Sequence, residues 1–292
     1  MKKYILIAIT IALTTHLFAT THVVDSTNNS GFGSLRTAIS TSVAGDTIHF
    51  NTNLIASGSD TILLTSEIAF NKGLVIIGLY NSTDTLFISG NSTNRIFNVN
   101  LGSATVKYLV LDSLVLINGV TSFSNFGGAV NLSNGDSLLI YNSHITNCRA
   151  GQGGGIASYS LSNSASSSVI ATNSTISGNT AIQGGGIYSF SYSSFSSVTV
   201  TNCVINDNTG RGIYSGTPEY GTFSSVIVTN SILSLNSDGG IYSKAVYYPS
   251  SVTLINSTIT GDDRARNYGG GIHSHSIFSS SVTVDNSTIH GF

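Results

Sequence analysis

Val198-Thr199-Val200-Thr201-Asn202-Cys203-Val204-Ile205-Asn206-Asp207-Asn208, followed by Gly210-Arg211-Gly212-Ile213, is the stretch of this 292-residue chain from which the fold is read. Its pattern recurs through more than half of the protein. The Asx that ends the valine run returns as Asp112, Asn142, Asn173, Asn202, Asn230, Asn256 and Asn286, at spacings between 26 and 31 residues. A near-constant period of this length marks a repeat architecture. Three residues after each marker stands an aliphatic: Val115, Ile145, Ile176, Ile205, Leu233, Ile259 and Ile289. Three further on come Asn118, Cys148, Asn179, Asn208, Asn236 and Asp262. A glycine cluster then closes on Val130, Ile156, Ile187, Ile213, Ile241 or Ile272.

Each copy thus holds three short extended pieces of alternating apolar character, separated by Asn or Gly where the backbone turns sharply. None is long enough for a helix. Pieces this short bury no apolar face alone, but coiling the chain stacks equivalent pieces into parallel sheets around one shared core. The expectation is all-β, a right-handed parallel β-helix. Asn residues turned inward at the corners would hydrogen-bond to the next rung and form a ladder.

Composition limits the function. Only 8% of residues are charged against 40% hydrophobic, with 31 glycines and a net charge of −2. Such a chain has too little charge and too many β-branched residues for disorder, and it carries no basic patch for nucleic acid. Met1-Lys2-Lys3, an apolar run over 4–18 and Ala19 read as a secretory signal spanning 1–19. No other apolar run approaches membrane-spanning length, so no membrane span is expected after signal removal. Residues 20–105 form the N-terminal cap and first coils, and 106–292 the repeated coils, which stop within a rung as though truncated. Cys148 and Cys203 fall in different columns two rungs apart, beyond bridging distance, and are expected as buried free thiols.

Ser34 is placed to cap a short helix with Leu35, Ala38 and Ile39 on one face, shielding the first rung from edge-on pairing. The segment from Gly31-Phe32-Gly33-Ser34-Leu35-Arg36 through Ala38-Ile39 to Gly45-Asp46-Thr47-Ile48-His49-Phe50 resembles the opening of many bacterial secreted parallel β-helix proteins. Downstream, the glycine-glycine-x-aliphatic and aliphatic-x-x-Asn phrases resemble the repeats of polymorphic outer membrane proteins, which share the pectin lyase-like fold. The resemblance implies a secreted or cell-surface protein. It implies activity poorly, since such proteins serve as adhesins, surface proteins and carbohydrate-active enzymes.

Candidate chemistry is sparse. Asp262, Asp263, Arg264 and Arg266 form the one dense charged cluster. A carboxylate pair beside arginines suits calcium and an acidic sugar, with an arginine as base, as the resemblance to β-helix lyases implies. The plainer reading is a solvated turn with Asp262 replacing the column Asn. His273 and His275, one residue apart on an extended piece, would face one way as a metal pair, although no third ligand accompanies them. Arg211 replaces a glycine and reads as a tolerated surface substitution. Asn-Ser-Thr triplets at Asn81, Asn91, Asn173, Asn256 and Asn286 match glycan acceptors, but three of them are repeat markers.

Tyr188, Tyr214 and Tyr242 directly follow the inward aliphatic, so they are expected to face outward on successive rungs, about 4.8 Å apart, as an exposed ladder. Phe195, Phe223 and further aromatics cluster in the Ser-rich links. Aromatic faces rimmed by hydroxyls suit sugar rings or a protein partner; packing within the sheet is the alternative. The expected function is a non-enzymatic adhesin-type binding or structural surface toward glycan or protein. A polysaccharide lyase or hydrolase using Asp262, Asp263 and Arg264 is the alternative, with calcium as its cofactor. A flat ice or mineral binder is argued against by the lack of a regular Thr column.

Overall fold

A computed structural model describes residues 19–79, 83–135, 137–161, 166–218, 220–261 and 270–291. Most of the expected signal lies outside the described residues, as do Asn81 and all of Asp262, Asp263, Arg264 and Arg266. The described chain is a parallel β-solenoid of about nine turns, built of three sheets with ten, eight and nine strands. Each strand pairs in parallel with its equivalents one coil earlier and later. In the central coils the long strands Ser167–Thr172, Ser196–Thr201, Ser224–Thr229 and Ser250–Ile255 stack in one sheet. The short strands Thr175–Ser177, Val204–Asn206, Ile232–Ser234 and Thr258–Thr260 stack in the second. Ile156–Ser160, Ile187–Ser191, Ile213–Thr217, Ile241–Ala245 and Ile272–His275 stack in the third.

The two aliphatic columns fill the interior. Val198, Val200, Ile205 and Ile213 have no exposed surface, and alternate residues of the long strands point away. Each such side chain contributes about 1.5–3 kcal/mol on burial. The first corner of each coil is an Asn in the left-handed conformation, with φ of 51° at Asn173, 52° at Asn202 and 49° at Asn230. Asn tolerates this region better than other side-chain-bearing residues, which accounts for the recurring marker. In the first repeat the register lies one residue later than the spacing implies. Asp112 pairs with Tyr141, and Ser113, at φ 54°, takes the corner. Leu116 rather than Val115 then pairs with Ile145, and Gly119 rather than Asn118 aligns with Cys148. Asp and Ser both accept a corner position, so residue type alone does not separate them.

Besides an exposed ladder in which Asn142, Asn173 and Asn202 each donate to the preceding marker, three buried hydrogen-bonded ladders run between coils among the described residues. At the second corner, Asn208 Oδ1 accepts from Asn179 N at 3.0 Å, and Asn208 Nδ2 donates to Ile176 O at 3.1 Å and Asn236 Oδ1 at 2.9 Å. Cys148 extends this ladder: its N donates to Asn179 Oδ1 at 3.0 Å and its Sγ accepts from Gly119 N at 3.2 Å. Just after the first corner, Ser143, Ser174, Cys203, Ser231 and Ser257 accept in turn from the preceding coil's backbone N–H. Both cysteines are buried and unbridged, each occupying one ladder step. The third ladder, which the spacing of the repeat did not reveal, joins the long-strand and third sheets. Ser158, Ser167, Ser189, Ser196, Ser215, Ser224, Ser243, Ser250 and Ser274 form a continuous zigzag of hydroxyls at 2.8–3.0 Å.

The N-terminal cap forms as expected. Ser34 accepts from Thr37 N at the start of the helix Leu35–Thr41, whose Leu35, Ala38 and Ile39 are buried. Arg36 fastens it to the first coil by donating to the carbonyls of Ser66 at 2.7 Å and Glu67 at 2.9 Å. In the last coil, the side chains in the inward columns, Val282, Val284 and Ile289, are exposed.

Candidate functional site

The tyrosine column exists, but it is not an exposed ladder. Tyr188, Tyr214 and Tyr242 lie on the outer face of the third sheet with ring centroids 5.0 and 5.1 Å apart, and His273 continues the stack at 4.8 Å. Yet Tyr188 is only 5% exposed and Tyr214 only 7%. Phe126 and Phe190 pack against Tyr188, with centroids at 5.9 and 6.1 Å. Tyr214 folds over Gly216, where an added Cβ would come within 2.8 Å of its ring. The Arg211 guanidinium lies 3.9 Å above the Tyr242 ring. The correction has a simple cause. The tyrosines do point away from the interior, but residues from other turns close over them, forming a second small core. Burial, reinforced by Tyr242 and opposed by Arg211, pushes the Tyr214 phenol up to about 12. Burial raises Tyr188 further.

Arg211 is accordingly no plain surface residue. It fits in place of glycine because its loop is short: four residues separate Asn208 from Ile213, against seven between Asn179 and Ile187. In the longer loop an added Cβ on Gly185 would meet Thr209 O at 2.5 Å. The rings of His273 and His275 lie 6.1 Å apart, with His273 stacked on Tyr242. Among the described residues no group of three His, Cys, Asp or Glu is placed to hold a metal ion.

The exposed aromatics stand one turn further on, where the third sheet hands the chain to the long strands. Phe195 and Phe223 stack at 5.2 Å with planes 8° apart. Tyr192 and Tyr220, from the same two links, form a second pair with centroids 5.6 Å apart, and Tyr247 and Phe278, in the next links along the rod, a third at 6.1 Å. Tyr220 is 64% exposed and Phe278 72%. The repeat positions these rings: each sits within four residues before a long strand that begins with Ser, in coils one strand spacing apart. A cleft of about 330 Å³ opens within the ridge, lined by Tyr192, Pro218, Tyr220, Lys244 and Val246.

A larger, polar cleft of about 540 Å³ lies over the turns leading into the third sheet in the early coils. Arg95 is buried there. It donates from Nε to Gly127 O at 2.9 Å and pairs with Glu67 Oε2 at 3.0 Å. Glu67 Oε1 accepts from Asn98 Nδ2 at 2.8 Å, so both of its oxygens are engaged. Arg149 reaches the same cleft, its guanidinium 5.3 Å from the Phe123 ring. Among the described residues Glu67 is the one carboxylate lining the cleft, and these residues offer no paired acid of the kind glycoside hydrolysis uses.

Residue spacing did not foretell this cleft, because Glu67, Arg95 and Arg149 come from three different coils. Of the residues singled out as ligand-binding from sequence, Phe195 and Phe223 lie on the ridge, Phe223 exposed and Phe195 half-buried, whereas Tyr188 and Tyr214 are buried and Tyr242 is half-buried beneath Arg211. No helix among the described residues is long and apolar enough to cross a membrane. No family model, curated protein or solved structure significantly matches the chain.

Proposed function

We propose that this chain is an exported, non-enzymatic solenoid that binds glycan through its aromatic ridge, an adhesin-type surface displayed on a rigid rod. The observation that carries this reading is the ridge itself: partly to largely exposed aromatic rings, paired between successive coils and rimmed by Ser and Thr. Flat aromatic faces receive the apolar faces of sugar rings, while hydroxyls at the rim accept and donate to theirs. The links that carry the rings are short and tethered at both ends to paired strands, which lowers the entropic cost of binding.

The test is retention of the full chain on an array of neutral and acidic glycans, with product release from the same polysaccharides measured in parallel, with calcium and with chelator. Retention without turnover supports the reading. Turnover would replace it with a lyase or hydrolase, for which Asp262, Asp263 and Arg264 remain the residues to vary. Retention only on protein spots would move the partner class from glycan to protein.

A further inference from the structure

Lys244 sets the cleft within the ridge apart from the rest of the aromatic row. It stands on the outer face of the strand Ile241–Ala245, paired in register with Gly216 on one side and His275 on the other. Its side chain lines the same cleft as Tyr192 and Tyr220. Among the described residues the cleft walls are two phenol rings, Pro218 and Val246, and the lysine supplies the one cation. The ion pairs of the described residues are His22 with Asp46 and Arg95 with Glu67; neither involves Lys244. An ammonium that lines a cleft with phenol rings and is ion-paired to no described carboxylate favours an anion at that spot.

Resting on the glycan reading above, we infer that the ridge selects a glycan carrying a carboxylate. One sugar ring would lie against Tyr192 and Tyr220, with its carboxylate directed to the Lys244 ammonium. The rings supply contact area common to neutral and acidic sugars. The lysine supplies the difference between them. A partly exposed ion pair of this kind is worth a factor of roughly two to five at low ionic strength and less as salt screens it.

The experiment compares a neutral glucose oligosaccharide with the uronate oligosaccharide of equal length, by calorimetry on the full chain at low and at physiological salt. The wild-type protein is expected to bind the uronate roughly threefold to fivefold more tightly at low salt. In Lys244→Gln the two affinities should converge on the neutral value. In Tyr220→Ser both should fall together. Equal wild-type affinities, or a preference that survives Lys244→Gln, would overturn the carboxylate inference while leaving the ridge as a glycan surface. Unaltered binding in Tyr220→Ser, or no binding of either oligosaccharide, would overturn the glycan reading beneath it. Glu219, which lies outside the described residues, follows Pro218 in sequence, so Glu219→Gln is measured as well. A preference seen only in that variant would overturn the inference for the natural chain.

Discussion

Asn208 shows how a single residue type, repeated, holds coils together. Its carboxamide accepts from the backbone N–H of Asn179 and donates to Ile176 O and Asn236 Oδ1, all in the buried interior. Replacing it with Ala strands several buried polar groups, each costing about 1–3 kcal/mol. Asn208→Ala is therefore expected to lose about 3 kcal/mol or more in denaturant unfolding. Cys203→Ser should lose almost nothing, because serine occupies the equivalent ladder step in neighbouring coils. Asp46 offers a pH test. Burial opposes its charge, but hydrogen bonds from Val43 N, Thr20 N and His22 outweigh this and hold its carboxyl well below the usual range. A depressed folded-state pKa stabilises above the unfolded value of about 4, and that contribution fades as pH falls below it. Asp46→Asn should be less stable than wild type at pH 7, with the gap closing in melts below pH 4. The role of Asn208 was legible from its column. The substitution of thiols into ladder steps was legible only as burial, since a column does not disclose which atom accepts.

At the level of strands and turns, what could be read from sequence depended on whether contacts were local to one coil. The aliphatic columns pair as the period implies, from Val130 through Ile272 and from Ile145 through Ile289. The outward direction of Tyr188, Tyr214 and Tyr242 followed equally from alternation. Their burial did not, because Phe126 and Arg211 arrive from loops of unequal length. The hydroxyl zigzag is hidden in the sequence for another reason. Serines before a strand look like linker, and their partners sit in a different sheet of the same or the next coil. Ser215 bonds Ser196 and Ser224, both at 2.9 Å, with no exposure. Ser215→Ala should cost about 1–3 kcal/mol by stranding those neighbours, whereas Ser225→Ala, on the half-buried opposite face of the same corner, should cost under about 0.5 kcal/mol. Paired denaturation curves would show the difference.

Taken as a whole, the molecule is a rod whose interior is specified by aliphatic columns and whose corners are specified by ladders, leaving its outer faces free to vary. Two faces depart from the plain repeat: the polar cleft around Arg95, Glu67 and Arg149, and the aromatic ridge from Tyr192 to Phe278. The covered tyrosine stack lies between sheet and loops and belongs to stability. The ridge has no comparable cover among the described residues and is the face we propose for binding. This division makes opposite demands on chemically similar substitutions.

The most direct test is therefore glycan retention measured together with thermal unfolding, on full-chain wild type, the double variant Tyr220→Ser and Phe223→Ser, and Tyr214→Ser. The ridge variant is expected to lose retention while its melting temperature stays near that of wild type. Tyr214→Ser should unfold at a markedly lower temperature, having lost a buried ring worth about 3 kcal/mol, yet keep its retention while folded. Undiminished retention in the ridge variant, or loss of retention in folded Tyr214→Ser, would contradict the assignment of binding to the ridge.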